Sequence, residues 1–279
     1  MCQRRRPSVV SVGVSAAYSH DIVSPLGGTP VPLSSLPPPG EDGGEGEEDD
    51  DHEGGEEGGR EGKDVVDVVV GVNQIIDRKT LLRLDYSLSW SSGYLNDPYK
   101  IVSVVQNQSS TEPGEPAQYL YEARPDTRFK QAIFAEARRY IAGSVLDVSY
   151  RYFWDDWGIR SNTAEAFLNI PIGGGHAIEP HFRWYGQSQA DFYRTYLVDG
   201  QPVPTYASAD SRLADFDAMT YGLKYAMPFA AGSRLSITTE YYTQMGERGP
   251  PNAIGILRDY DLFPGLDVFM IRIGFTHGL

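Results

Sequence analysis

From Leu82 to Trp90 every second side chain is large and apolar, while the residues between them are Arg83, Asp85, Ser87 and Ser89. Side chains alternate sides along an extended chain, so this run reads as a strand with one apolar and one polar face. Its apolar face outlasts the ~5–6 residues of an ordinary strand and approaches the ~9–11 that a tilted strand needs to cross a bilayer.

The pattern recurs. Strand signals fall at about 8–19, 65–75, 80–91, 127–140, 144–154, 158–170, 176–188, 212–227, 233–245 and 266–277. Val10, Val12, Val14, Ala16 and Tyr18 form the first apolar set, and Val66, Val68, Val70 and Val72 the second. Leu146, Val148, Tyr150, Tyr152 and Trp154 alternate with Asp147, Ser149 and Arg151; Ile178, Phe182 and Trp184 alternate with Glu179, His181 and Arg183. Segment 127–140 is the least regular, because Glu136, Arg138 and Arg139 put charge on both faces. Phe269, Ile271, Ile273 and Phe275 give the last segment the look of an outer-membrane insertion signal.

The connections between these segments alternate in length, as the short periplasmic turns and longer external loops of membrane barrels do. Spans 20–64, 92–126, 189–211 and 246–265 are long, and those at 76–79, 141–143, 171–175 and 228–232 are short. Residues 155–157 are the exception, a tight turn where a long loop is expected. The expected fold is therefore all-β: an antiparallel transmembrane β-barrel of outer-membrane type, about ten strands in this chain and part of a larger barrel. A single domain over 1–279 is expected, with a disordered acidic external loop at about 24–63.

Composition agrees. The 279 residues include 18 Tyr, 4 Trp and 11 Phe, yet mean hydropathy is only −0.37 and no run of 18 apolar residues exists to make a membrane helix. A barrel reconciles these facts, since only alternate residues face lipid. Of the net charge of −14, residues 41–64 supply −11 through 13 Asp and Glu against Arg60 and Lys63. The remaining −3 excludes a generally acidic surface, and the sparse Lys and Arg exclude a groove for nucleic acid. Cys2 is the sole cysteine, so disulfides and cysteine metal sites are excluded. The sequence shows no charged segment followed by an apolar export core. The barrel reading therefore expects a mature or truncated form, or a fragment whose signal peptide and amino-terminal part are missing.

Gly40 to Gly62 is nearly all Glu, Asp and Gly, too polar to order itself by burial. Asp49, Asp50, Asp51 and Glu53 offer carboxylates to divalent cations, but a homopolymeric run lacks the fixed spacing of a calcium loop. A solvated, cation-attracting loop is the expectation.

The segments Gly93-Tyr94-Leu95-Asn96-Asp97-Pro98-Tyr99-Lys100, Arg124-Pro125-Asp126 and Ser149-Tyr150-Arg151-Tyr152-Phe153-Trp154-Asp155-Asp156-Trp157-Gly158-Ile159 resemble a proteobacterial family. So do Pro180 to Tyr185, Ala190 to Tyr193 and Asp261 to Pro264. That family, domain of unknown function 3570, is described as an outer-membrane barrel. The resemblance covers about 8–279, leaves the acidic stretch as an insertion, and implies that this chain is the carboxyl-terminal portion.

The residues expected to line the lumen are Arg83, Asp85, Asp147, Arg151, Glu165, Glu179, His181, Arg183, Glu240 and Arg272. Their mixed signs point to a packed structural barrel or a narrow pore for small solutes, since about ten strands leave little interior space. No catalytic residue, cofactor or metal is expected. His181 is the candidate base for an outer-membrane lipid-processing enzyme, a reading ranked below an internal charge network. Gly173-Gly174-Gly175 precedes a strand, not the helix a phosphate cradle needs, and reads as a turn. Asn96, Asp97, Arg124 and Asp126 bracket one long loop. An Asp–Arg pair would fold it inward as a constriction, and simple turn chemistry explains the same residues equally well. Trp90, Tyr94, Tyr140, Trp154, Trp157, Trp184 and Tyr241 fit interfacial girdles. The rival architecture is a soluble secreted β-sandwich binding glycans through those aromatics. Expected partners are outer-membrane lipid and lipopolysaccharide, the barrel-assembly machinery during insertion, and divalent cations at the acidic loop.

Overall fold

The computed structural model describes residues 9–23, 61–97, 99–230, 232–247, 249 and 252–277. The acidic stretch up to Arg60, with its candidate cation ligands, and Cys2 lie outside them. Among the described residues thirteen strands follow one another: β1 (Val9–Val23), β2 (Glu61–Asp77), β3 (Thr80–Gly93), β4 (Ile101–Val105), β5 (Pro116–Tyr121), β6 (Thr127–Ile141) and β7 (Ser144–Asp155). Then come β8 (Arg160–Gly173), β9 (His176–Gln187), β10 (Leu197–Val198), β11 (Phe216–Ala230), β12 (Ser233–Gly246) and β13 (Leu266–His277).

Ten of them form a single antiparallel sheet in the order β1-β2-β3-β6-β7-β8-β9-β11-β12-β13. These are the ten segments that the alternation marks out. A sandwich would need two such sheets packed face to face; here one sheet takes every long strand. The three short strands form a separate sheet, β10-β4-β5.

Several strands run two to four residues past their expected ends, and three starts differ from expectation by more than one residue. β2 starts at Glu61, four residues early, because its first residues continue the ladder with β1 through Val23↔Glu61 and Asp21↔Lys63. Lys63 Nζ also lies 3.5 Å from Asp21 Oδ2. β8 starts at Arg160 instead of 158, since Asp155 Oδ1 accepts from the amides of Trp157 and Ile159 and closes a turn there. β11 starts at Phe216 instead of 212, because Asp210 caps a 3-10 turn over Ser211–Leu213.

The sheet strands are 12 to 17 residues long. At ~3.4 Å per residue even the shortest spans about 40 Å, enough to cross a ~30 Å hydrocarbon layer at a tilt. Register fixes the two faces, because residues opposite one another in a ladder share a side. Leu84 pairs with Val72 and Ala135, and Ala135 with Tyr150, all on the apolar face. Asp85 pairs with Gly71 and Phe134, and Phe134 with Arg151, all on the polar face. The irregularity of β6 resolves the same way: Glu136 and Arg138 pair with polar-face Arg83 and Asp147, and only Arg139, near the strand end, joins the other side.

The apolar face is uncovered from edge to edge; Val14 and Ile273 are each 71% exposed. Each large apolar side chain left in water forgoes about 1.5–3 kcal/mol of burial, so a face of this extent requires an apolar surrounding. The buried core lies elsewhere, at the long-loop end, where Trp157, Ile159, Ala190, Phe192 and Leu213 pack together. β1 and β13 are the sheet edges and make no contact with each other among the described residues.

Candidate functional site

All ten residues expected to line the lumen share the polar face by register. The structure braces eight of them into ion-paired groups. Arg83 contacts Asp85 at 2.7 Å and stacks over Phe134; Asp85 in turn folds over Gly71, which has no side chain to obstruct it. Asp147 accepts from Arg138, whose guanidinium also reaches Glu136. Glu179 takes Asn169 Nδ2 at 2.9 Å and faces Lys224 Nζ at 3.6 Å. Arg151 lies over the Phe153 ring.

The most connected group centres on His181. Its Nε2 lies 2.9 Å from Glu165 Oε1 and its Nδ1 3.1 Å from Glu240 Oε1, while Arg272 closes on Glu240 Oε2 at 3.5 Å. Phe167 stacks on the imidazole with centroids 4.1 Å apart. A cavity of about 240 Å³ adjoins this cluster. Both ring nitrogens of His181 thus meet carboxylate oxygens in this arrangement.

The other histidines among the described residues sit near strand ends. His20 and Tyr18 both bond Asp64 on the apolar face, and His176 bonds and stacks on Tyr225. His277 meets Ser233 Oγ at 2.7 Å as a direct cross-strand pair. Among the described residues no group of His, Cys, Asp or Glu is arranged to hold a metal ion.

Sequence reasoning missed the assembly at the long-loop end. Loops 94–126 and 188–215 fold together through the small sheet, in which β10 pairs with β4, and through the bridge Ala123↔Ala207. Segment 252–265 clasps loop 94–126: Ile256 N donates to Pro113 O, and a Cβ on Gly255 would overlap Pro113 O. Arg124 bonds Glu122 and Asp210 at 3.0 and 2.8 Å. Arg212 bonds Asp210 and, across the loops, Asp97 at 2.7 Å. Ser208 Oγ donates to Glu122. Glu122 and Asp210 side chains are 1% exposed and Arg124 10%, so this is a desolvated network. Burial would raise the Asp210 carboxyl, but hydrogen bonds from the Arg212 side chain and backbone and the charge of Arg124 bring it down to about 2. The same bonds, with the charge of Asp210, raise the Arg212 guanidinium.

Thus Asp97 and Arg124 do brace the cap, but each with a partner from loop 188–215, not with one another. Arg124 N also donates to Asn96 Oδ1, as turn chemistry requires. The 155–157 turn is tight because the cap docks there. Trp157 lies under the Arg128 guanidinium and edge-on to Phe192, and its indole N–H bonds Thr127 O. It is a core residue of the cap, not part of an interfacial girdle. The cap overhangs the polar face: Gln187 Nε2 donates to the carbonyls of Arg212 and Ala214. Arg212 roofs a cavity of about 370 Å³ walled by Arg183, Tyr185, Thr220 and Tyr242.

A long-stranded antiparallel meander, apolar on one face and ion-paired on the other, defines a protein of the outer-membrane barrel class. The chain belongs to the family described as "Protein of unknown function (DUF3570)", whose model matches residues 8–277. Among solved structures it is similar to OmpTdeltaL8, the loop L8 deletion mutant of OmpT, an outer membrane protein of Vibrio cholerae, at 11% identity and a TM-score of 0.34. That match covers 78% of this chain, and this chain spans 63% of the other's length. No curated protein matches.

Proposed function

We propose that the protein is a β-barrel component of the cell outer membrane, with the polar face lining a lumen and the three interlocked loops closing its external end. The role is structural, or that of a narrow pore admitting small solutes poorly. No catalytic step is assigned. The observation that carries this reading is the continuous apolar face over all ten long strands, backed by paired charges on the other side. The electrostatic network supports a closed cap, because Arg124 and Arg212 hold loops from distant parts of the chain together.

Fractionation and electrophoresis test the localisation. The protein should co-sediment with outer membranes and change gel mobility on boiling; recovery as a detergent-free soluble monomer would defeat the reading. Planar-bilayer recording tests the closure, with little or no conductance expected. Large, stable, porin-like steps would overturn it.

A further inference from the structure

The apolar face carries a groove that no sequence pattern announced. Ala135 and Ala137 on β6 form its floor, with Leu82 and Leu84 on one bank and Val148 and Tyr150 on the other, enclosing about 620 Å³. The banks are set by register: Leu82↔Ala137↔Val148 and Leu84↔Ala135↔Tyr150. One step further along, the row reads Thr80↔Arg139↔Leu146, so Arg139 stands at the foot of the groove on the same face. It is exposed, as are Arg78 and Lys79 in the adjacent β2–β3 turn. Asp77, the nearby acid, accepts from Lys79 N at 2.7 Å and also interacts with Arg139, and Lys79 Nζ lies over the Tyr140 ring, so the charge of the foot rests on Arg139 and Arg78 against one carboxylate.

We infer that this groove is a binding site for one glycerophospholipid, an acyl chain lying over Ala135 and Ala137 and the phosphate meeting Arg139 with Arg78. The two alanines open a trough that an alkyl chain fills, and the basic foot complements an anionic headgroup. Ala135 to Arg139 is four residues, about 13 Å along the strand, so chain and headgroup subsites lie within one lipid's length. The foot is at the short-turn end, opposite the cap. Resting on the barrel reading above, this end faces the inner leaflet, which selects phospholipid over lipopolysaccharide.

The test is native mass spectrometry of the full chain released from mild detergent after incubation with phosphatidylglycerol, phosphatidylethanolamine or lipopolysaccharide. One phospholipid adduct per protein is expected. Ala137→Trp, which fills the trough, should abolish it, and Arg139→Gln should weaken retention about tenfold, the loss of one charge-assisted contact. Both substitutions are on the exposed face, and boiling-dependent gel mobility reports folding of each. Should Ala137→Trp not fold, Arg139→Gln and the wild-type stoichiometry decide alone. Unchanged retention in folded variants, no stoichiometric adduct on wild-type protein, or preferential retention of lipopolysaccharide would overturn the site. Absence of a gel shift in the wild type would overturn the barrel reading itself, and the site with it.

Discussion

His181 on β9 reaches Glu240 on β12 across an intervening strand, and the crossing point is Gly222 on β11. A Cβ at Gly222 would stand 3.0 Å from His181 Cβ and 3.2 Å from Glu240 Cγ. Gly222→Val should therefore sever the contact despite the better strand propensity of valine. The expected loss is about 1–3 kcal/mol, that of one hydrogen bond to a charged group, since Glu240 keeps Arg272 and His181 keeps Glu165. Urea titration read by gel mobility measures it; an unchanged or higher midpoint would show that the crossing contributes nothing.

Arg124 and Arg212 share Asp210, yet their removal should differ in cost. Arg124→Ala leaves the nearly inaccessible Glu122 carboxylate without its cation, at about 3–5 kcal/mol, while Asp210 keeps Arg212. The Arg212 side chain is 66% exposed and its removal leaves Asp210 paired with Arg124, so Arg212→Ala should cost less, about 1–2 kcal/mol. Limited proteolysis of loops 94–126 and 188–215 in the folded protein reports both. Equal protection in the two variants would refute the network as the brace.

Acid should release the cap through Asp210. Its carboxyl titrates at about 2 in the folded cap against ~3.9 in an unfolded chain, so the unfolded state binds more protons between those values. Cap stability then rises with pH across that window, by on the order of 2–3 kcal/mol, and is flat above it. Near-ultraviolet circular dichroism from Trp157 against Phe192 should be constant from pH 5 to 8 and fall as the pH drops from about 4 toward 2. A transition centred at neutral pH would assign the latch to another group.

Face assignment is checked by a pair of charges on one strand. Leu84→Arg places a cation mid-strand on the apolar side, where a bilayer imposes about 2–4 kcal/mol. Ser87→Arg places it on the polar side, two residues from Asp85. The first should lower the folded fraction in membranes sharply and the second little. Equal effects would contradict the orientation of β3.

The strands were legible because period-two alternation is local: Leu82 to Trp90 declares its two faces without reference to any other residue. Assignment to faces carried over intact for Arg83, Asp85, Glu179, His181 and the rest, since antiparallel register preserves the side on which a residue stands. The cap was not legible, because its bonds are set by tertiary proximity. Arg212 and Asp97 are 115 positions apart and Arg124 and Asp210 are 86 apart, and nothing in spacing selects those partners over the nearer Asp97–Arg124 pair. Trp157 was misread for a related reason: an aromatic at a strand end looks the same whether lipid or a folded loop covers it. The one anomaly in loop length, at 155–157, was the available signal of the docking place.

The unpaired edges at β1 and β13 carry a rule of parity. In an up-and-down meander of ten strands, the first and last run in opposite directions. Direct closure of β1 on β13 is then antiparallel and adds nothing. Any other fully antiparallel ring must insert strands in even numbers, whichever chain supplies them, because each N–H and C=O inside hydrocarbon needs a partner. The strand count of a closed, fully antiparallel barrel built on this sheet is thereby restricted to even numbers.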